Sequence, residues 1–115
     1  MIICKKDNPI YFDVDDTLVI WSFSPEEKDL IQFKYHGHVY TLKPHNKHIR
    51  FLKSQKKRSR SVIVWSAGGW EWASCVVKAL GIEKYVDVVI EKPILCIDDV
   101  PKEKIISSSI YFKDE

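Results

Sequence analysis

A chain of 115 residues, 45 % hydrophobic and 30 % charged, has the length and composition of one globular domain, 1–115. Its formal charge of +2 is too mild to imply nucleic-acid or membrane binding by itself. Cys4, Cys75 and Cys96 are odd in number, widely spaced and form no C-x-x-C pair, so neither a disulfide framework nor a zinc knuckle is indicated. Reduced thiols are expected, with Cys75 and Cys96 in the core.

No apolar run approaches the roughly 20 residues of a membrane span. Lys5 and Lys6 interrupt the first apolar stretch, unlike a signal peptide. The expectation is a soluble, cytoplasmic protein.

Ile10 to Phe12 predicts a buried strand with Asp13 at its end. Asp13-Val14-Asp15-Asp16-Thr17 then sets two carboxylates in a D-x-D-x-T spacing. Like charges packed at a strand end repel unless neutralised. Mg²⁺ suits that task, because it takes oxygen ligands and needs only one or two carboxylates.

Ile31, Phe33 and Tyr35, then His38, Tyr40 and Leu42, alternate with other residues about His36-Gly37 and predict a β-hairpin. Residues 18–42 are expected to form a small flap over the site. Pro44 is expected to open a helix carrying Ile49 and Leu52, with His45 and His48 solvated. Ser61 to Trp65 predicts a second strand, apolar in its centre like strands buried on both faces. Ser66-Ala67-Gly68-Gly69 is a tight turn into a second helix, with Ala73, Val76, Val77 and Leu80 on one face and Gly81 as its cap.

Val86 to Ile90 and Ile94 to Ile97 read as third and fourth strands, Asp98 and Asp99 ending the latter. Pro101 is expected to open a helical turn, and Ile105 to Phe112 to include a fifth strand. Strands alternating with helices predict an α/β fold: a mostly parallel sheet with helices on both faces. In such sheets ligands bind at the carboxyl ends of the strands. Asp13 and Asp15, Ser66, and Asp98 and Asp99 all fall at such ends.

Asp13 is placed to attack phosphorus and form an acyl-phosphate. Asp15 could protonate the leaving oxygen and later take a proton from water. Asp98 and Asp99 would supply further oxygens to the metal. Ser66, with the backbone of Ala67, Gly68 and Gly69 at a helix N-terminus, offers an anion site. Lys92 can hold phosphate beside an ionised Asp13. Singly, each residue also reads as a turn, cap or solvated surface residue. Their order and common position at strand ends favour a joint role.

In that order these residues resemble the haloacid dehalogenase superfamily of largely Mg²⁺-dependent aspartyl-phosphate phosphatases. Phe12 to Leu18 is similar to its first motif, Val62 to Ser66 to its second, Lys92 to its third and Ile97-Asp98-Asp99 to its fourth. The resemblance covers residues 9–100. It implies a Rossmann-like three-layer sandwich, Asp13 as nucleophile, Asp15 as general acid/base and Ser66 as phosphate ligand. It further implies Lys92 as the cation, with Lys84 as a nearby competitor, and Mg²⁺ held by Asp13, the main-chain carbonyl of Asp15, and Asp98 or Asp99. The chain has no room for a large cap domain, so the site is expected to be open. The substrate could then be a small phosphate, a phosphoprotein or a nucleic-acid end. A phosphotransferase, or a non-catalytic phosphate- or partner-binding module on this fold, are the alternatives.

Asp16 is left without a catalytic task and is expected to be structural. His36 and His38 read as a hairpin tip rather than a metal pair. Lys53, Lys56, Lys57, Arg58 and Arg60 read as a solvated helix end, with nucleic-acid or phosphoprotein contact as the alternative. Trp65, Trp70 and Trp72 surround the second motif, and Trp70 could line the pocket.

Overall fold

A computed structural model describes residues 8–106 and 108–114; Cys4 lies outside them. In chain order the elements are β1 (Ile10–Asp13), β2 (Val19–Ile20), β3 (Ile31–Tyr35), β4 (His38–Pro44), α1 (Asn46–Lys57), β5 (Val62–Ser66), α2 (Trp70–Ala79), a 3-10 turn at Glu83–Tyr85, β6 (Val88–Glu91) and α3 (Lys102–Ile105). Two sheets result. One is parallel, in the order β1-β5-β6, and the other is antiparallel, in the order β2-β4-β3. The α/β class with a mostly parallel principal sheet is therefore as expected.

Consecutive residues of a strand point to opposite faces. Val62, Ile63 and Val64 are nevertheless all buried, so β5 is covered on both sides as the central strand. Both α1 and α2 pack against it. Trp72, Ala73, Val76 and Val77 form the buried stripe of α2. Gly81, at φ +68°, takes the left-handed turn just past the end of α2. The core joins this stripe to Phe12, Val14, Leu18 and Val19 near β1, to Leu42 of β4 and to Ile49 and Leu52 of α1.

The hairpin of β3 and β4 forms as predicted. Tyr35 pairs with His38, leaving His36 and Gly37 as a two-residue turn with φ of +49° and +79°. Two positive φ values match the right-handed twist of the flanking strands. Pro44 does not open α1. It still belongs to β4, opposite Val19, and His45 caps the helix instead.

Two predicted strands are absent among the described residues. Ile94–Ile97 has no sheet partner, and Ile94, Leu95 and Ile97 stand almost fully exposed. Pro93 has no N–H to continue a ladder from β6. A short apolar run alone does not specify its partner strand. Among the described residues β1 pairs only with β5, so one edge of the parallel sheet is open. Likewise, of Ile105–Phe112, the first residue closes α3 and residues 108–112 run without regular structure. Tyr111 and Phe112 pack instead on His45 and His48.

That docking overturns the expectation of solvated histidines: His45 and His48 are buried. Cys96 is exposed on the unpaired segment and Cys75 only half-buried, so neither is a core residue. Cys75 lies beside the apolar stripe of α2, with its Sγ facing the Lys34 carbonyl of β3 at 3.5 Å.

Candidate active site

Strand register gathers the first three motifs. Asp13 ends β1 opposite Trp65, and Ser66 ends β5 opposite Glu91. The next residue after Glu91, Lys92, donates its amide to the Ser66 carbonyl at 2.9 Å. Three adjacent carboxyl ends thus present Asp13, Ser66 and Lys92 together. Lys92 Nζ lies 3.5 Å from Asp13 Oδ1, and Thr17 Oγ1 donates to Asp13 Oδ2 at 3.3 Å. Lys84 instead lies over the Tyr85 ring. The Asp13 and Lys92 side chains keep 33 % and 40 % of their exposure, so a ligand can reach both.

A tight turn carries the chain from Asp13 to Thr17. The buried Val14 anchors it, its carbonyl accepting from the amides of Thr17, Leu18 and Val19. Asp16 adopts φ +60°, which Asp tolerates better than most residues. Its Oδ1 accepts from the Trp21 amide and its carbonyl from the Tyr111 hydroxyl. Asp16 is thus a structural turn residue, as expected.

Asp15 is held more closely than the sequence suggests. Its Oδ1 accepts two indole N–H groups, from Trp21 at 2.9 Å and Trp72 at 3.1 Å. Ser66 Oγ lies 3.4 Å from Oδ2. Neither indole was legible as a partner of Asp15, because their convergence depends on how Trp21 follows the turn and how α2 sits beside it.

The phosphate cradle expected at Ser66-Ala67-Gly68-Gly69 differs in detail. The Gly68 amide donates to Ser66 Oγ at 3.0 Å and the Gly69 amide to the Ser66 carbonyl. Both amides close the turn rather than stand open, and Ala67 is exposed. The turn also brings Glu91 Oε1 to 3.6 Å from where a Gly69 Cβ would be. This carboxylate beside the turn was missed because it reads as the polar end of a strand. Trp70 opens α2 exposed, whereas Trp72 is buried.

Asp98 and Asp99 are not carried to the site by a strand, since Ile94–Ile97 forms none. Asp98 Oδ1 accepts from the Val100 amide at 3.0 Å, and that bond holds its carboxyl below the usual range. Among the described residues, no three His, Cys, Asp or Glu side chains converge as a metal-binding group.

Of the basic run, Lys56 pairs with Asp87 at 2.6 Å and Lys53 lies over the Tyr85 ring. His36 and His38 occupy and flank the hairpin turn. A depression of about 270 Å³, lined by Glu27, Lys43, Arg50 and Asp114 among others, includes none of the site residues. No helix among the described residues is long and apolar enough to cross a membrane.

Compared with protein-family models, with curated proteins and with solved structures, the chain gives no match in any of the three.

Proposed function

We propose that this chain is a Mg²⁺-dependent phosphomonoester hydrolase of the haloacid dehalogenase type, on a Rossmann-like three-layer fold without a large cap. One observation carries the reading: Asp13 at the end of β1 and Lys92 just past β6 meet across the end of β5, with Asp15 and Ser66 beside them. A nucleophilic carboxylate, a second carboxylate and a fixed cation are the parts that phosphoryl transfer through an aspartyl-phosphate requires.

In this mechanism an Asp13 oxygen attacks phosphorus as the bond to the leaving oxygen breaks. Asp15 gives that oxygen its proton. Asp15 then takes a proton from water as the water attacks the phosphoaspartate, releasing phosphate and restoring Asp13. Lys92 holds the phosphate beside Asp13, and Thr17 fixes the second Asp13 oxygen. Ser66 is fully buried, and its hydroxyl accepts from the Gly68 amide and donates toward Asp15, so it supports Asp15 and the turn rather than standing open to phosphate.

The donor set fits Mg²⁺, which needs only one or two carboxylates. Asp13 and the Asp15 main-chain carbonyl would hold it, and Asp98 and Asp99 form no metal-binding group with them among the described residues. When bound, the cation offsets the negative charge that phosphate and carboxylates bring together. The open approach to Asp13 suits a small phosphate, a phosphoprotein or a nucleic-acid end.

The position of Asp98 and Asp99, outside any cluster with Asp13, favours a second reading: a phosphate-binding module without turnover. Hydrolysis of p-nitrophenyl phosphate separates the two. Turnover is expected with Mg²⁺ and not with chelator, nor in Asp13→Asn. Equal rates in all three samples would overturn the assignment of Asp13. Phosphate binding to the wild type without hydrolysis of any ester would favour the module. An added alcohol that takes up the phosphoryl group would identify a phosphotransferase.

A further inference from the structure

Asp15 is surrounded in a way that general acid/base chemistry alone does not require. Two indole N–H groups point at one of its oxygens. An indole only donates; unlike a hydroxyl or water it cannot turn round and accept. A proton placed on Oδ1 would therefore face two N–H groups. Oδ2 faces the Ser66 hydroxyl, which can donate or accept by rotating. The two ends of the carboxylate are thus chemically unlike.

Both indoles pack against other aromatic rings, Trp72 buried and Trp21 at 45 % exposure. Trp72 is 6 % exposed and packs against Phe33, Tyr35 and Tyr40, all from β3 and β4. Trp21 stacks on Trp72 with centroids 6.0 Å apart and meets Tyr40 edge-on. Its own amide is tied to Asp16 Oδ1. The hairpin is joined through this aromatic cluster to a carboxylate of the site.

We propose that Trp21 and Trp72 are positioning residues for Asp15, fixing Oδ1 so that Oδ2 is the oxygen that gives and takes the proton. This rests on the phosphatase reading. The hairpin then serves as a buttress for the acid/base rather than only as a cover.

Trp21→Phe and Trp72→Phe each keep an aromatic ring and lose the N–H. The value of kcat/KM covers the steps up to the phosphoenzyme, where an alkyl leaving group needs a proton and p-nitrophenolate does not. With Mg²⁺, each substitution is expected to lower kcat/KM for β-glycerol phosphate about tenfold more than for p-nitrophenyl phosphate. Equal losses on both substrates would mark a merely structural role and overturn the proposal.

A second readout does not depend on turnover. In ¹H–¹⁵N spectra, both indole N–H signals are expected to shift in Asp15→Ala. Indole signals unmoved by Asp15→Ala would overturn the contact itself. Shifted signals in a protein that hydrolyses neither ester would retain the contact and overturn the catalytic role together with the phosphatase reading.

Discussion

Asp16 illustrates how a side chain with no catalytic task can set those that have one. Its φ of +60° turns the chain between Asp15 and Thr17, and its carboxylate accepts the Trp21 amide. Asp16→Ala loses the hydrogen bond and puts a Cβ-bearing residue without local polar compensation in the left-handed region. Urea unfolding is expected to show a loss of about 1–3 kcal/mol. Asp16→Asn, which tolerates the same conformation and keeps an acceptor, is expected to lose much less. A loss as large for Asn as for Ala would show that the charge rather than the geometry matters. At this scale the placing of Asp13 and Ser66 was legible because each ends a strand whose apolar run could be read, whereas Lys92 was singled out by resemblance to the third motif and by its place before a strand that does not form. The indole partners of Asp15 were not legible. No periodicity reports where an N–H points.

Among elements, the C-terminal segment does what the sequence assigned to a fifth strand in a different way. Residues 111–114 strap the start of α1. His48 Nδ1 donates to the Thr17 carbonyl at 2.7 Å and its Nε2 accepts the Phe112 amide at 2.9 Å. His45 Nδ1 accepts the His48 amide, so its Nε2 carries the proton and donates to the Phe112 carbonyl. Asp114 approaches His45 and Lys43. Both nitrogens of the His48 ring are used, and a proton on its Nε2 would displace Phe112.

Burial holds the His48 imidazole below its ordinary value of 6.5, against the raising effect of the Thr17 carbonyl. A lowered folded pKa means that the unfolded chain takes the proton first. The stabilisation is therefore complete above pH 6.5 and declines as pH falls below it, by at most about 1.4 kcal/mol per pH unit for one such proton. Thermal unfolding between pH 7.5 and 5 is expected to show this decline, and His48→Gln to flatten it. A midpoint that is equally pH-dependent in His48→Gln would assign the effect to other groups. The turn of the hairpin was legible to the residue, because His36-Gly37 interrupts two alternating runs, whereas the end of β4 at Pro44 was not. Nor was the strap: Tyr111 and Phe112 resemble strand residues, and the two histidines resemble surface ones until the strap covers them.

For the molecule as a whole, the parallel sheet is legible where helices separate strands and fails where they do not. β5 and β6 are linked by α2, a span long enough to reverse the chain. Ile94–Ile97 follows β6 after only Lys92 and Pro93, too short a span to cross the sheet and return in parallel beside β6. The segment therefore leaves the sheet, with Asp98 and Asp99 beyond it. Exposed, unpaired backbone is where proteases cut. Limited proteolysis is expected to cleave first between Ile94 and Val100, while residues 10–91 resist. First cuts within β5 or α2 would contradict this order of stability.

The same open edge has a consequence for the solubility of the chain. Among the described residues, β1 has no strand partner along one side, and residues 94–97 form an apolar stretch with no partner strand. An open edge and a bare apolar segment are complementary whether they belong to one molecule or to two. Dilution favours the meeting within a chain and crowding the meeting between chains. The segment bearing Asp98 and Asp99 is thus also where self-association would begin.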